Sequence, residues 1–522
     1  MSQSARLSAR DSTLAMALLD MSDGRFADAC GRYDHLRATR DSLDFAVWYG
    51  LGDCHARDTV IVKSAASPSG YQFRSGYESA IRAYTKALTL VPMAHLAFAG
   101  VGFERLSDLL FTQSGELRRG ARDGDSTIWT AYPSLANDTL AFVPYPYAEI
   151  ARGQVREPPT SASAVARNRA LLQRLATDWT VQMPRSPSAF ETLARARELQ
   201  GRIGTVGARD SSALEALGRA RALATESADR RRLGVMGARL LLVSGDFTAA
   251  RMLADSVLAT PETTPAEADL LAATAALTGH VHRTIEMLRM EAPTERFISM
   301  DNRLVQPPPA VAQEARALLG YASFGAPLDS LIATRERVER SIDSYVPTGQ
   351  RADMRETVQN VALTLAYPVA PALALQRAGG GGDYLLEIQR AANRHDTASV
   401  HRLLNAVARM RAPGRPGDLS IYLTYQEAWL RLQVGDSAGA VHQLDATLTA
   451  LPTLTPYLLD YVQDAAFLVR AMVLRSDIAA ASGDARTAQK WGSAAAELWA
   501  GADAPLAGIV ARMQARATSG VR

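Results

Sequence analysis

Lysine is nearly missing from this chain. Lys63, Lys86 and Lys490 are its only three among 57 basic residues, so arginine carries the positive charge. The arginines are dispersed and the formal net charge is only +3. A nucleic-acid footprint needs a concentrated basic stripe. The densest run, Arg230–Arg232, opens an amphipathic segment and reads as a solvated helix face, so no nucleic-acid partner is expected. Cysteine is equally scarce. Cys30 and Cys54 alone exclude a disulfide framework, and they read as small core residues in a reducing compartment. Long apolar runs are lacking too. Val361–Gln376 is too short for a bilayer span and carries Pro368 and Pro371. The amino terminus, MSQSARLSARDSTLAMALLDM, has no apolar h-region after its basic residues. A chain with no membrane span, in the cytoplasm, is the expectation. Apolar residues at 47% and charged residues at 21% exclude wholesale disorder.

Signatures of chemistry are missing as well. There is no H-E-x-x-H, no C-x-x-C, no G-x-S-x-G elbow and no His-Arg-Asp catalytic loop. His280-x-His282 lies in a turn, and two histidines alone make a poor metal site. Cys54 and His55 are consecutive, which on a helix sends their side chains about 100° apart. AGGGGD (Ala378–Asp383) has no following Lys-Ser/Thr and reads as a linker. No enzyme activity, cofactor or metal is expected.

What is present is repetition. DGRFADA, SGDFTAA, TGHVHRT, VGDSAGA and SGDARTA each hold a glycine (Gly24, Gly245, Gly279, Gly435, Gly483). Five residues later comes a small residue (Ala29, Ala250, Thr284, Ala440, Ala488). Glycine ends a helix at positive φ, where a Cβ would clash. The small residue then falls one turn into the next helix, where it permits close approach. This is the grammar of a tight helix–turn–helix.

The helices carry a second signature. Trp48-x-x-Leu51-Gly52-x-x-His55 places its large residues at i, i+3 and i+7, on one helical face. Leu96-x-x-Ala99-Gly100-x-x-Phe103 and Phe190-x-x-Leu193-Ala194-x-x-Arg197 repeat the spacing. Ala80-x-x-x-Tyr84 runs to Pro92, and Ala440-x-x-x-Leu444 to Pro452; proline cannot continue a helix. Together these resemble tetratricopeptide repeats, with consensus W-x2-L-G-x2-Y, A-x3-F and P. The resemblance is good over 13–103 and 430–500 and moderate over 184–290. It implies an all-α fold, a TPR-like α-solenoid of stacked antiparallel helix pairs, each buried by its neighbours. WYGLGDCH, which superficially begins a G-x-G-x-x-G phosphate loop, is then one continuous helix. Gly52 is small because a neighbouring helix lies against it, and Gly50 is incidental.

Two insertions interrupt the array. Ala80 arrives about sixteen residues later than the family spacing predicts, and the excess (56–75) reads as a loop. A longer insertion, 111–160, is aromatic and β-rich, and short strands or an ordered loop are expected there. The resulting division is 1–110 repeats, 111–160 insertion, 161–296 repeats, 297–382 helical but irregular, and 383–522 repeats ending in a capping helix. Repeat-like sequence starts near Leu14 with no polar cap before it, which suggests an upstream partner domain, another chain, or an amino-terminal helix as cap.

The resemblance implies that first helices line a groove for peptides or extended segments. Its groove-facing positions fall on Tyr49, Asp53 and Arg57. Tyr49 and Asp53 replace the lysine and asparagine of the carboxylate-gripping subclass, so that activity is not implied. Trp129, Tyr132, Tyr145 and Tyr147, with Phe142, form the second candidate surface; the alternative is that they pin the insertion to the array. The function expected is a non-catalytic scaffold for a protein or peptide partner. One alternative is a regulatory module resembling the repeat regions attached to some bacterial serine/threonine kinases. Another is a small-molecule or glycan binder using the aromatic insertion.

Overall fold

The computed structural model describes residues 7–39, 43–58, 60–63, 65, 71–75, 77–90, 105–106, 118–122, 128–133, 140–144, 162–204, 211–260, 264–265, 267–290, 297–298, 304–305, 307–325, 328–376, 384–410, 421–453 and 459–518. The chain divides into two compact units, one of Met1–Tyr145 with Arg156–Thr225, the other of Pro146–Val155 with Glu226–Arg522.

The first unit opens with α1 (Ala9–Ser22), α2 (Phe26–Thr39), α3 (Phe45–Arg57) and α4 (Tyr77–Leu90), each packed on the next. α5 (Ala162–Gln182), α6 (Pro187–Glu198) and α7 (Ala213–Leu223) pack in the same serial way. Starts are set by side-chain caps. Asp44 accepts from the Ala46 N–H at 2.8 Å, and Ser186 and Ser212 accept from the third residue onward. Ala17, Ala29, Tyr33, Leu51 and Ala83 form one buried cluster that joins α1 to α4. Gly52 is small for the expected reason, since a Cβ there would lie 2.7 Å from Tyr84 Cδ1. Gly50 is not incidental, however. A Cβ there would run into the Tyr33 ring, so two glycines admit two tyrosines to the same helix from opposite neighbours.

Cys30 of α2 and Cys54 of α3 are joined in a disulfide, with Cα atoms 5.6 Å apart. This overturns the reading of two free core thiols, and with it the reason for assigning a reducing compartment. Burial alone did not predict the pairing; the nesting of α2 on α3 brings the two positions within bridging range.

The insertions also differ from expectation. Residues 56–75 are not only a loop, because they contribute β1 (Val60–Lys63) and β2 (Tyr71–Phe73). The longer insertion gives β3 (Arg118–Arg122), β4 (Ile128–Pro133) and β5 (Leu140–Pro144). All five form one sheet in the order β2-β1-β3-β4-β5, parallel between β1 and β3 and antiparallel elsewhere. Two insertions separate in sequence are therefore joined in one sheet.

The second unit contains α8 (Ser227–Val243), α9 (Phe247–Leu258), α10 (Ala268–Leu277), α11 (Val281–Leu288), α12 (Pro309–Phe324), α13 (Leu328–Tyr345), α14 (Arg351–Ala366) and the short α15 (Pro371–Ala374). It continues with α16 (Tyr384–Asn393), α17 (Thr397–Met410), α18 (Ile421–Gln433), α19 (Ser437–Thr449), α20 (Val462–Ala481), α21 (Ala485–Leu498) and α22 (Ala507–Thr518). A two-stranded ribbon, β6 (Phe297–Ile298) with β7 (Leu304–Val305), precedes α12. Successive helices pair as α8 with α9, α10 with α11, α12 with α13, α18 with α19 and α20 with α21.

The turn glycines behave as the repeat grammar requires. Gly24, Gly245, Gly279, Gly435 and Gly483 have φ between 74° and 87°. In each turn two successive N–H groups return to the preceding helix, as in Gly245 to the Leu242 carbonyl (2.9 Å) and Asp246 to that of Leu241 (3.0 Å). The aspartate after the glycine then caps the next helix, at Asp246, Asp436 and Asp484. Ala29, Ala250, Thr284, Ala440 and Ala488 are all buried. A sixth copy was concealed by its sequence. In NRHDTAS, His395 takes the glycine position at φ 56°, with the same returning bonds and with Asp396 as cap.

The second unit departs from a plain solenoid, in which each repeat touches only its neighbours. α20 packs against α10 and α12 as well as α18, α19 and α21, and α21 packs on α9. Thr248 donates to Glu497 (2.8 Å), and Asp503 accepts the His282 N–H (2.7 Å) while its own N–H reaches the Gly279 carbonyl (3.1 Å). Buried Arg470 donates to the Ser323 carbonyl (2.8 Å) at the end of α12, with its guanidinium 4.6 Å and 4.3 Å from the Tyr425 and Phe467 ring centres. The carboxy-terminal helices thus close back on the unit's first pairs. The basic run at Arg230–Arg232 is also not a uniformly solvated face. Arg231 is 5% exposed and holds Glu267 through two bonds of 3.0 Å.

Candidate interaction face on α3

α3 presents Tyr49, Asp53 and Arg57 one turn apart, and the structure brings all three together with groups from elsewhere. Tyr49 stacks on Phe45, ring centres 5.7 Å apart, and meets Tyr84 of α4 at 5.4 Å. The Tyr84 hydroxyl donates to Asp53 Oδ1 (3.1 Å), and Arg57 Nε lies 3.1 Å from Asp53 Oδ2. Arg105 hydrogen-bonds the Tyr49 side chain. Asp53 is therefore engaged from two sides within the protein. Arg57 and Arg105 remain exposed at the rim of a half-buried tyrosine.

The electrostatics follow from burial. Tyr84 loses solvent to the α3–α4 seam and faces the Asp53 carboxylate, so its ionisation is pushed far above the usual phenol range. Tyr49 is raised for the same two reasons, less strongly opposed by Arg105 and Arg57. Burial pulls Arg105 down, but its bond to Tyr49 and the nearby Asp53 outweigh this and raise it. Both phenols stay neutral and the Arg105 guanidinium stays charged at physiological pH. The face can offer an aromatic surface and two guanidinium groups. Phe45, Tyr84 and Arg105 were not singled out from sequence. Tyr84 carried a signal, as the aromatic of the A-x3-F position, but nothing in its spacing says that its hydroxyl reaches Asp53.

Of the second candidate surface, Trp129 and Tyr132 lie on β4 and Phe142 on β5. Tyr145 and Tyr147 lie outside the described residues. The β4–β5 register pairs Ala131 with Phe142 and Trp129 with Pro144, which puts positions 129 and 142 on one face of the sheet and 132 on the other.

Two further groups, one half-buried and one buried, come from tertiary packing. His55 Nδ1 lies 3.8 Å from Cys30 Sγ and 3.2 Å from Ser75 Oγ, and burial lowers its pKa, against the pull of Asp34 and Asp58. Asp464 on α20 is 2% exposed and accepts the Tyr422 N–H (3.2 Å), so it caps the start of α18. Desolvation pushes its carboxyl up to about 7, although its backbone hydrogen bonds pull the other way.

Compared with known proteins, the chain matches no protein-family model and no curated protein. Among solved structures it is similar to the crystal structure of the yeast Tom70, at 11% identity and a TM-score of 0.24, over 98% of this chain and 96% of that one. So shallow a likeness carries no argument, and the helix-hairpin fold rests on the packing described above. Among the described residues no helix is long and apolar enough to cross a membrane.

Proposed function

We propose that the protein is a non-catalytic helical scaffold that binds an extended protein segment along α3. The observation that carries this reading is the exposed pair Arg57 and Arg105 flanking the half-buried ring of Tyr49. An aromatic anchor with arginines at its rim is the composition that interfaces favour. Asp53 and Tyr84 hold Arg57 and Tyr49 in place, which lowers the cost of ordering them on binding. The charge selects acidic segments.

The test is a pull-down with mass spectrometry using the full chain and its Arg57→Glu/Arg105→Glu variant. A protein held by the wild type and released by the variant, with unchanged circular dichroism, is the expected result. Equal capture by both would overturn the reading.

A further inference from the structure

Cys30, Cys54 and His55 put two sulfurs and one imidazole nitrogen within 4.8 Å of one another. Two helices build the cluster. α2 supplies Cys30, and α3 supplies Cys54 and His55 as neighbours in sequence. Consecutive helical residues diverge by about 100°, yet both side chains here reach the same sulfur, Cys54 by the disulfide and His55 Nδ1 at 3.8 Å. A tetrahedral ion with Zn–S near ~2.3 Å and Zn–N near ~2.0 Å spaces a sulfur and a nitrogen by roughly 3.6 Å. The observed separation is already close to that edge. Beside the imidazole, the Ser75 hydroxyl lies 3.2 Å from Nδ1 and donates to Asp58 at 3.0 Å. Cys54 is fully buried and Cys30 is 8% exposed, so water competes poorly for the cluster.

We propose that reduction of the Cys30–Cys54 bond opens a binding site for one zinc-class divalent cation, held by both thiolates and His55 Nδ1. The disulfide and the metal are mutually exclusive occupants of this seam. In the oxidised protein the Ser75 proton is committed to Asp58, so Nδ1 carries the hydrogen and donates to Ser75. A reductant delivers two electrons and two protons to the sulfurs. A trialkylphosphine does so by taking the oxygen of water to become the phosphine oxide; a dithiol does so by closing its own disulfide. Binding the cation then releases two thiol protons to solvent, and the imidazole shifts its hydrogen to Nε2, freeing Nδ1 to coordinate. The sulfurs part by side-chain rotation, and α2 and α3 stay together through the surrounding core of Ala17, Ala29, Tyr33 and Leu51.

The experiment titrates Co2+ into full-length protein reduced with a phosphine, and reads the thiolate-to-metal charge-transfer absorption and its loss on adding Zn2+. One Co2+ per chain, displaced by Zn2+, is expected for the reduced protein, and none for the oxidised one. Cys30→Ser abolishes the band, and His55→Ala weakens binding by at least about tenfold. Equal binding by oxidised protein, no band in reduced protein that keeps its helicity, or an unchanged His55→Ala titration overturns the assignment. If reduction lowers the helical signal, Zn2+ must restore it in wild type but not in Cys30→Ser. Failure to restore it overturns the assignment as well.

Discussion

Replacing Gly52 with alanine sets two opposed effects against each other. Alanine is the better helix former, and in an open position the exchange stabilises by about 1 kcal/mol. At Gly52 the new Cβ would lie 2.7 Å from Tyr84 Cδ1 and 2.9 Å from both Cε1 and Cγ. Ordinary carbon contacts begin about 3.5 Å apart, so the ring must retreat by most of an ångström. Tyr84 is fully buried and its hydroxyl is bonded to Asp53, so retreat breaks packing on one side and the hydrogen bond on the other. Overpacking of this kind costs about 1–3 kcal/mol, and the net expectation is a loss of about 1 kcal/mol. Gly31 and Gly218 supply the control, since both are helical and a Cβ at either meets nothing within 4 Å. Gly31→Ala and Gly218→Ala should therefore gain about 1 kcal/mol. At roughly 2–4 °C per kcal/mol for a unit of this size, thermal melting by far-ultraviolet circular dichroism should separate Gly52→Ala from the controls by about 4–8 °C. Gly52→Ala melting together with or above Gly31→Ala would refute the claim that this glycine exists to seat a neighbouring helix.

Three other outcomes are expected. His395→Gly should raise stability by about 0.5–1 kcal/mol, because a left-handed residue with a Cβ is strained and glycine is not; a lower urea midpoint would contradict this. Asp464 has a folded pKa raised to about 7, so the stability it contributes is complete below about pH 4, its unfolded value, and is lost as the pH rises through 7. Urea titrations should accordingly show Asp464→Asn gaining on the wild type between pH 5 and pH 8, and a constant difference across that range would count against a buried neutral carboxyl. Breaking the Cys30–Cys54 bond, which spans 24 positions, should cost about 3–4 kcal/mol on the chain-entropy account, measured as the urea midpoint of metal-free Cys30→Ser/Cys54→Ser; an unchanged midpoint would mean that the bridge does not form.

By itself the sequence determined the helical hairpins. Glycine at positive φ and a small residue one turn later are local requirements, so five turns could be read from spacing alone. His395 escaped because the turn tolerates a histidine at some cost, and the returning hydrogen bonds, unlike the glycine, leave no letter behind. Tyr49, Asp53 and Arg57 were singled out as the groove-facing positions that the repeat resemblance implies, which is carried by a short motif. Which groups meet that face was decided by packing, since Tyr84 and Arg105 are brought to it from later in the chain. The same holds for the Cys30–Cys54 bridge, for the sheet shared by two insertions, and for the closure of α20 onto α10 and α12. Each depends on the distance between residues far apart in sequence, and that distance is set by how helices nest, a quantity that no short window of residues encodes.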